Sequence, residues 1–135
     1  MDHWAANEVH EKLVSRLIPY ERNQRIHPAS QINELASSIN EWGWTVPILI
    51  DENENVIAGH GRLYAAQELG IEKVPCVIAS GWTDQQKKAY VIADNKLQEG
   101  SDWNYPAMAS ELRDLIDSGF SVELTGISDT ELQIF

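Results

Sequence analysis

Gly59-His60-Gly61-Arg62 brings together two kinds of group that bind oxyanions. Glycines permit a tight turn in which backbone N–H groups converge without interference from a Cβ. Arginine places a forked cation at the same spot. The run Val56 to Gly70 shows how these groups would be presented. Val56 to Ala58 reads as a short apolar strand. Beyond it Leu63, Ala66 and Leu69 fall three apart, which predicts a helix opened by Arg62. A helix start adds unpaired N–H groups and a positive dipole end. The chemistry this suits is the binding of a phosphate or another oxyanion. The motif alone leaves a second reading open, a plain turn before a packed helix with Arg62 on the surface.

Composition bounds the partners. The chain has 135 residues, room for one domain with a real core, and 43% of them are hydrophobic. Ten basic against 21 acidic residues give a net charge of −11. That balance opposes broad binding to a nucleic-acid backbone, which needs clustered Lys and Arg. Arg113 is the only base in 101–135, so anion chemistry belongs to the first hundred residues and 101–135 forms an acidic extension. Cys76, the sole cysteine, lies in an apolar strand and reads as a buried, inert thiol. No apolar stretch approaches a membrane span and no signal pattern opens the chain, which predicts a cytoplasmic protein.

The remaining periodicities supply a scaffold. Residues 1–11 show no apolar periodicity. Lys12 to Ile18 reads as a strand with Leu13, Ser15 and Leu17 on one face, ended by Pro19. Ile32, Leu35, Ala36, Ile39 and Trp42 repeat at helical spacing, with Gly43 as the stop. Pro47 to Ile50, then Val56 to Ala58, read as strands around the turn 51–55. Val74 to Ala79 is apolar throughout and so a central strand. Thr83 to Gln86 and Ser128 to Glu131 are capping boxes, the first opening a helix to about Leu97. Tyr105 to Asp117 is a further helix, with Met108, Leu112 and Leu115 inward. The expectation is a small α/β (α+β) domain over 1–100, a mixed sheet with packed helices, followed by C-terminal helices.

Three segments carry a resemblance to the ParB/sulfiredoxin superfamily, specifically the ParB N-terminal-like ("ParB-like nuclease") domain, over about Leu17 to Leu97. Pro19 to Arg25 resembles the family's Asn-Pro-Arg box, with Gln24 in place of the proline. Gly59 to Arg62, with Ala65 and Ala66, resembles its Gly-Glu-Arg-Arg phosphate box. Ala93-Asp94-Asn95-Lys96-Leu97 resembles its Glu-Asn box. The match is closest to the variety found ahead of DNA methyltransferases in phages and mobile elements. Trp103, Gly119-Phe120 and Leu124-Thr125-Gly126 extend it into the tail. No methylase motif or helix-turn-helix segment is present, so an isolated front domain or a small stand-alone protein is expected. His60 stands where sulfiredoxin has its catalytic cysteine, so sulfinic-acid repair is not available.

The resemblance implies a site for a nucleoside triphosphate with Mg²⁺. Gly59, His60, Gly61 and Arg62 would cradle the phosphates, with Arg25 leaning on them and Asn23 fixing the first loop. Asp94 and Asn95 are oxygen donors suited to Mg²⁺. With His60 they are the catalytic candidates. The family's arginine after the Glu-Asn box falls at Gln98, so its role passes to Lys96. His60 itself has three readings: a phosphate donor, a general base for water, or a solvent-facing turn residue. His27 approaches the same site; His3 and His10 do not. No histidine pair stands at zinc spacing. Trp42 and Trp44 read as core packing or a pocket wall.

Three functions compete. The leading one is a nucleotide-binding module supporting slow NTP hydrolysis in a DNA-modification or DNA-transaction system of a phage or mobile element. DNA would be reached only through a linked methyltransferase or partner, no membrane is involved, and a homodimer is open. The second is a metal-dependent DNA nuclease, which would want clustered carboxylates and a basic track. The third is a non-catalytic acidic protein-interaction module.

Overall fold

Two parallel inner strands anchor the sheet. In the computed structural model, which describes residues 3–21 and 26–135, these are β2 (Ile48–Ile50) and β4 (Lys73–Ile78). The edges are β1 (His10–Leu13), antiparallel to β4, and β3 (Val56–Ala58), antiparallel to β2. The order β1-β4-β2-β3 makes the small mixed sheet that the sequence predicts, with the apolar 74–79 run inside it.

Alternation along the strands divides the core between two faces. Ile48, Ile50, Val56, Val74 and Cys76 pack with Leu63 and Ala66 of α2 (His60–Leu69) and with Val14 and Leu17. On the other side, Ile57 and Ala79 pack with Val91 of α3 (Asp84–Leu97), flanked by Leu49, Trp82 and Tyr90. A helix thus covers each face. The β2–β3 register slips between Leu49↔Ala58 and Ile50↔Val56, a bulge that bends β3 just before the glycine turn. α1 (Ala29–Trp42) packs on α2 and ends at Gly43, whose N–H donates to the Ile39 carbonyl at 2.8 Å. The Thr83 capping box forms as expected, with Gln86 N–H donating to Thr83 Oγ1 and Thr83 N–H to the Gln86 side chain. Burial pushes the Cys76 thiol up to about 11, which makes it the inert group expected.

The first strand departs from expectation. It covers His10–Leu13, and a 3-10 turn, Val14–Arg16, replaces its second half. Val14 N–H donates to the Glu72 carbonyl at 2.9 Å, and Leu17 N–H closes the turn on Val14. The buried pair is therefore Val14 and Leu17, three apart, rather than Leu13, Ser15 and Leu17. Trp44 packs against the core while Trp42 is exposed.

By compactness the chain divides into Met1–Gln98 and Glu99–Phe135. The second unit holds α4 (Tyr105–Asp117), a 3-10 turn (Val122–Thr125) and α5 (Asp129–Ile134). Asn104 caps α4 by accepting from Ala107 N–H at 3.1 Å, and Ser128 caps α5 through the predicted box. Leu112 is the residue of α4 that is fully buried. Trp103 and Tyr105 meet Phe135 at ring distances of 6.3 and 5.3 Å. Among the described residues no helix is long and apolar enough to cross a membrane.

Candidate nucleotide site

β3 delivers the chain to Gly59, which has φ +106°. A Cβ there would also lie 3.3 Å from Ile48 Cγ1 and 3.4 Å from its Cα, so backbone angle and space both require glycine. α2 begins at once, at His60, two residues earlier than the sequence suggests. Leu63 N–H donates to the Gly59 carbonyl at 3.0 Å and closes the first helical turn. The N–H groups of His60, Gly61 and Arg62 therefore precede the intrahelical ladder, at the positive end of the helix dipole. Gly61 does not form the turn. It is a buried helical residue where a Cβ would stand 2.8 Å from Leu35 Cδ1 and 3.3 Å from His27 Nδ1. Its glycine lets α1 and His27 close over α2.

A cleft of about 270 Å³ opens at this helix start. Gly59, His60, Gly61 and Arg62 line it at the start of α2, Asp94, Asn95 and Gln98 at the end of α3 and its C-cap, and His27, Gln31 and Leu35 from α1 and the segment before it. Two of the three sequence boxes thus meet in one place. Asn23 and Arg25, expected from the first box, lie outside the described residues. Among the described residues Arg62 pairs with no carboxylate, whereas Arg16 is held by Glu54 at 3.0 Å. Gln98 Nε2 is 3.5 Å from an Asp94 oxygen.

His60 is only 5% exposed, so it is not a solvent-facing turn residue. Its Nε2 accepts from Tyr20 N–H at 2.9 Å. That bond fixes Nε2 as the unprotonated nitrogen and ties the start of the first box to α2. Burial, with His27 nearby, pushes the imidazole down to about 4. A neutral ring already accepting a backbone proton is poorly suited to serve as a base or a cationic donor. Lys96 is not brought to the cleft. It stands exposed, one step around α3 from the face that Asp94, Asn95 and Gln98 share. The family's arginine position, Gln98, keeps its place in the lining.

A second cavity, about 690 Å³, adjoins the first and shares Ala58, Gly59, Arg62, Asp94 and Gln98 with it. Its other walls include Val46, Pro47, Leu49, Val77, Trp82 and Tyr90. His3, which the sequence reading set apart from the site, also lines it. None of these walls carries a sequence motif; their only signal is apolar residues beside a strand.

A sequence model of the ParB N-terminal domain matches residues 2–95. The chain belongs to the ParB N-terminal domain family. It is 47% identical over 75 residues to the ParB-like nuclease domain-containing protein YnaK of Escherichia coli (strain K12), a match covering 56% of this chain and 86% of that protein. It is 32% identical over 97 residues to a nucleoid occlusion protein of Bacillus cytotoxicus, covering 68% of this chain and 33% of that protein. In fold it is similar to the C-terminally truncated chromosome-partitioning protein ParB from Caulobacter crescentus, solved complexed with CTP-gamma-S. The TM-score is 0.71 at 23% identity, over 83% of this chain and 64% of that one. Sulfiredoxin from Arabidopsis thaliana is similar at a TM-score of 0.54 and 24% identity, over 63% of this chain and 98% of that one. Those two likenesses are likenesses of fold, a ParB/sulfiredoxin-like arrangement of sheet and helices.

Within this ParB N-terminal domain, Asp94 and Asn95 offer a carboxylate and a carboxamide side by side at the cleft. Such hard oxygen donors fit Mg²⁺, which binds through one or two protein oxygens and takes the rest from phosphates and water. Among the described residues no group of three or more His, Cys, Asp or Glu is gathered that could hold a metal ion without that help.

Proposed function

We propose that this domain binds a nucleoside triphosphate together with Mg²⁺ and hydrolyses it slowly, within a DNA-modification or DNA-transaction system of a phage or mobile element. The observation that carries the reading is one cleft lined by both the start of α2 and the Asp94–Asn95 pair of α3. The N–H groups of His60, Gly61 and Arg62 and the Arg62 guanidinium receive phosphate oxygens. Asp94 and Asn95 hold the metal, whose charge offsets that of the triphosphate. His60 contributes its backbone N–H, while its ring positions the first loop through Tyr20. The adjoining apolar cavity takes the base, because it shares Gly59 and Arg62 with the phosphate end. By the family resemblance Asn23 and Arg25 complete the site. The CTP-gamma-S bound by the Caulobacter ParB makes CTP the first ligand to try.

Calorimetry with CTP, ATP and GTP, with and without Mg²⁺, tests this directly. Saturable binding of at least one, strengthened by Mg²⁺ and weakened by Arg62→Ala, is expected. No binding of any of the three overturns the reading. Phosphate release above a no-protein control separates a hydrolase from a binding module.

A further inference from the structure

We propose that the Trp82–Tyr90 ring pair receives the face of the nucleotide base, so that the site takes nucleoside triphosphates whatever base they carry. This rests on the nucleotide reading of the adjoining cleft. Trp82 and Tyr90 together line the cavity of about 690 Å³, with ring centroids 5.1 Å apart and planes at 55°. Both pack against Ile57, Ala79 and Val91, which holds the rings in place. A base stacks on an aromatic wall through its π face, and every base has one.

Position along α3 puts the pair at the nucleoside end of the ligand. Tyr90, Asp94 and Gln98 fall four apart and line the cavity as one stripe. Asp94 and Gln98 also line the phosphate cleft. Tyr90 lies one turn before Asp94, about 6 Å along the helix axis. A triphosphate held at Arg62 and Asp94 thus extends its nucleoside toward Tyr90.

The sheet side of the cavity gives base edges little to read. Val77, Leu49 and Ala58 line it, and they are neighbours across three strands, Leu49 pairing with Val77 of β4 and with Ala58 of β3. Backbone N–H and C=O groups of a sheet point within its plane to adjacent strands, while side chains stand out of it. The Val46 carbonyl accepts from Trp44 Nε1 at 2.8 Å. The Tyr90 hydroxyl and the His3 imidazole, in the same lining, can each donate or accept. Strong discrimination needs a polar group of fixed role that the wrong base leaves unpaired; groups with either role adapt instead.

Calorimetry of the full chain with CTP, ATP, GTP and methyl triphosphate, all with Mg²⁺, tests this. Methyl triphosphate has the phosphates and no nucleoside. Trp82→Phe keeps a ring, and Trp82→Leu keeps apolar volume without one. The three nucleotides should bind the wild type within about tenfold of one another, since stacking tolerates any base, and more tightly than methyl triphosphate. Trp82→Leu should weaken each nucleotide roughly five- to 150-fold, the range for loss of a stacking partner, and leave methyl triphosphate unchanged. Trp82→Phe should fall between the two. Nucleotides bound alike by wild type and Trp82→Leu overturn this inference and leave the nucleotide reading standing. So does one base preferred more than about a hundredfold, beyond what apolar fit supplies. Loss of methyl triphosphate along with the nucleotides in Trp82→Leu also overturns it, since the ring would then only support the fold. If the wild type binds methyl triphosphate but no nucleotide, or binds nothing, both readings fall.

Discussion

Lys87 and Asp94 stand about two turns apart on α3, and their surroundings differ in kind. Lys87 Nζ donates to Asp51 Oδ2 at 2.9 Å. The Asp51 carboxylate, 2% exposed, also accepts from the N–H groups of Asn53 and Asn55, both at 2.9 Å, and from the Asn55 side chain. Burial works to raise this carboxyl, but the bonds from Lys87, Asn55 and Asn53 hold it below its ordinary value. Its acceptors are filled from within, and the result is a pinned β2–β3 turn. Asp94 instead lines an open cleft with Arg62 and Asn95. The first cluster is closed on itself and builds structure, whereas the second borders a cavity, where the proposed function puts a ligand.

The contrast predicts that the first cluster controls stability and the second controls ligand. Asp51→Ala strips Lys87 and the turn N–H groups of their acceptor. It should cost about 3 kcal/mol or more by urea unfolding, as breaking a largely buried pair does, while the folded fraction keeps its nucleotide affinity. A stable Asp51→Ala variant with lost binding would invert the comparison.

His60 gives the next effect, through pH. The unfolded chain takes a proton on this ring near 6.5, and the folded one refuses it until about 4. Stability from this group is therefore complete above pH 6.5 and declines as pH falls toward 4, by on the order of 3 kcal/mol. His60→Asn should flatten that part of the denaturation-versus-pH curve; an unaltered curve would place the ring outside the core.

Arg62→Ala should weaken nucleotide binding by roughly 1.5–3 kcal/mol, the range for a charge-assisted hydrogen bond, with little change in Tm. Equal affinity by calorimetry removes Arg62 from the site. The smallest expected effect is none at all: random duplex DNA added to the isolated domain at about 0.15 M salt should leave anisotropy unchanged, since exposed charges are screened beyond about 8 Å. Micromolar binding would reject this and revive the nuclease reading.

The sequence was most legible where one residue type answered one local demand. Thr83, Ser128, Gly43 and Gly59 each mark an element boundary by capping or by backbone angle, and each does so in the structure. The pairing of the α2 start with Asp94 and Asn95 followed from the family boxes rather than from periodicity. Two things were hidden. Leu13, Ser15 and Leu17 mimic a strand when read two by two, and the bond to the Glu72 carbonyl, distant in sequence, belongs to a 3-10 bend that buries Val14 and Leu17 instead. Likewise nothing near His60 announces that Tyr20 N–H occupies its ring, or that Gly61 is glycine for the sake of Leu35 and His27. Such roles are set by tertiary neighbours.

The strand order also sets how the chain must close. β2 and β3 are joined by a tight turn and can pair locally, while His10 finds Cys76 only after the intervening helices and strands are in hand. Closure entropy grows with each doubling of the loop by about 0.6 kcal/mol, so the hairpin has the kinetic advantage and β1 is the late addition. A chain caught during synthesis would thus hold its glycine turn before β1 is paired, and conservative substitutions in β1 should speed unfolding more than they slow folding.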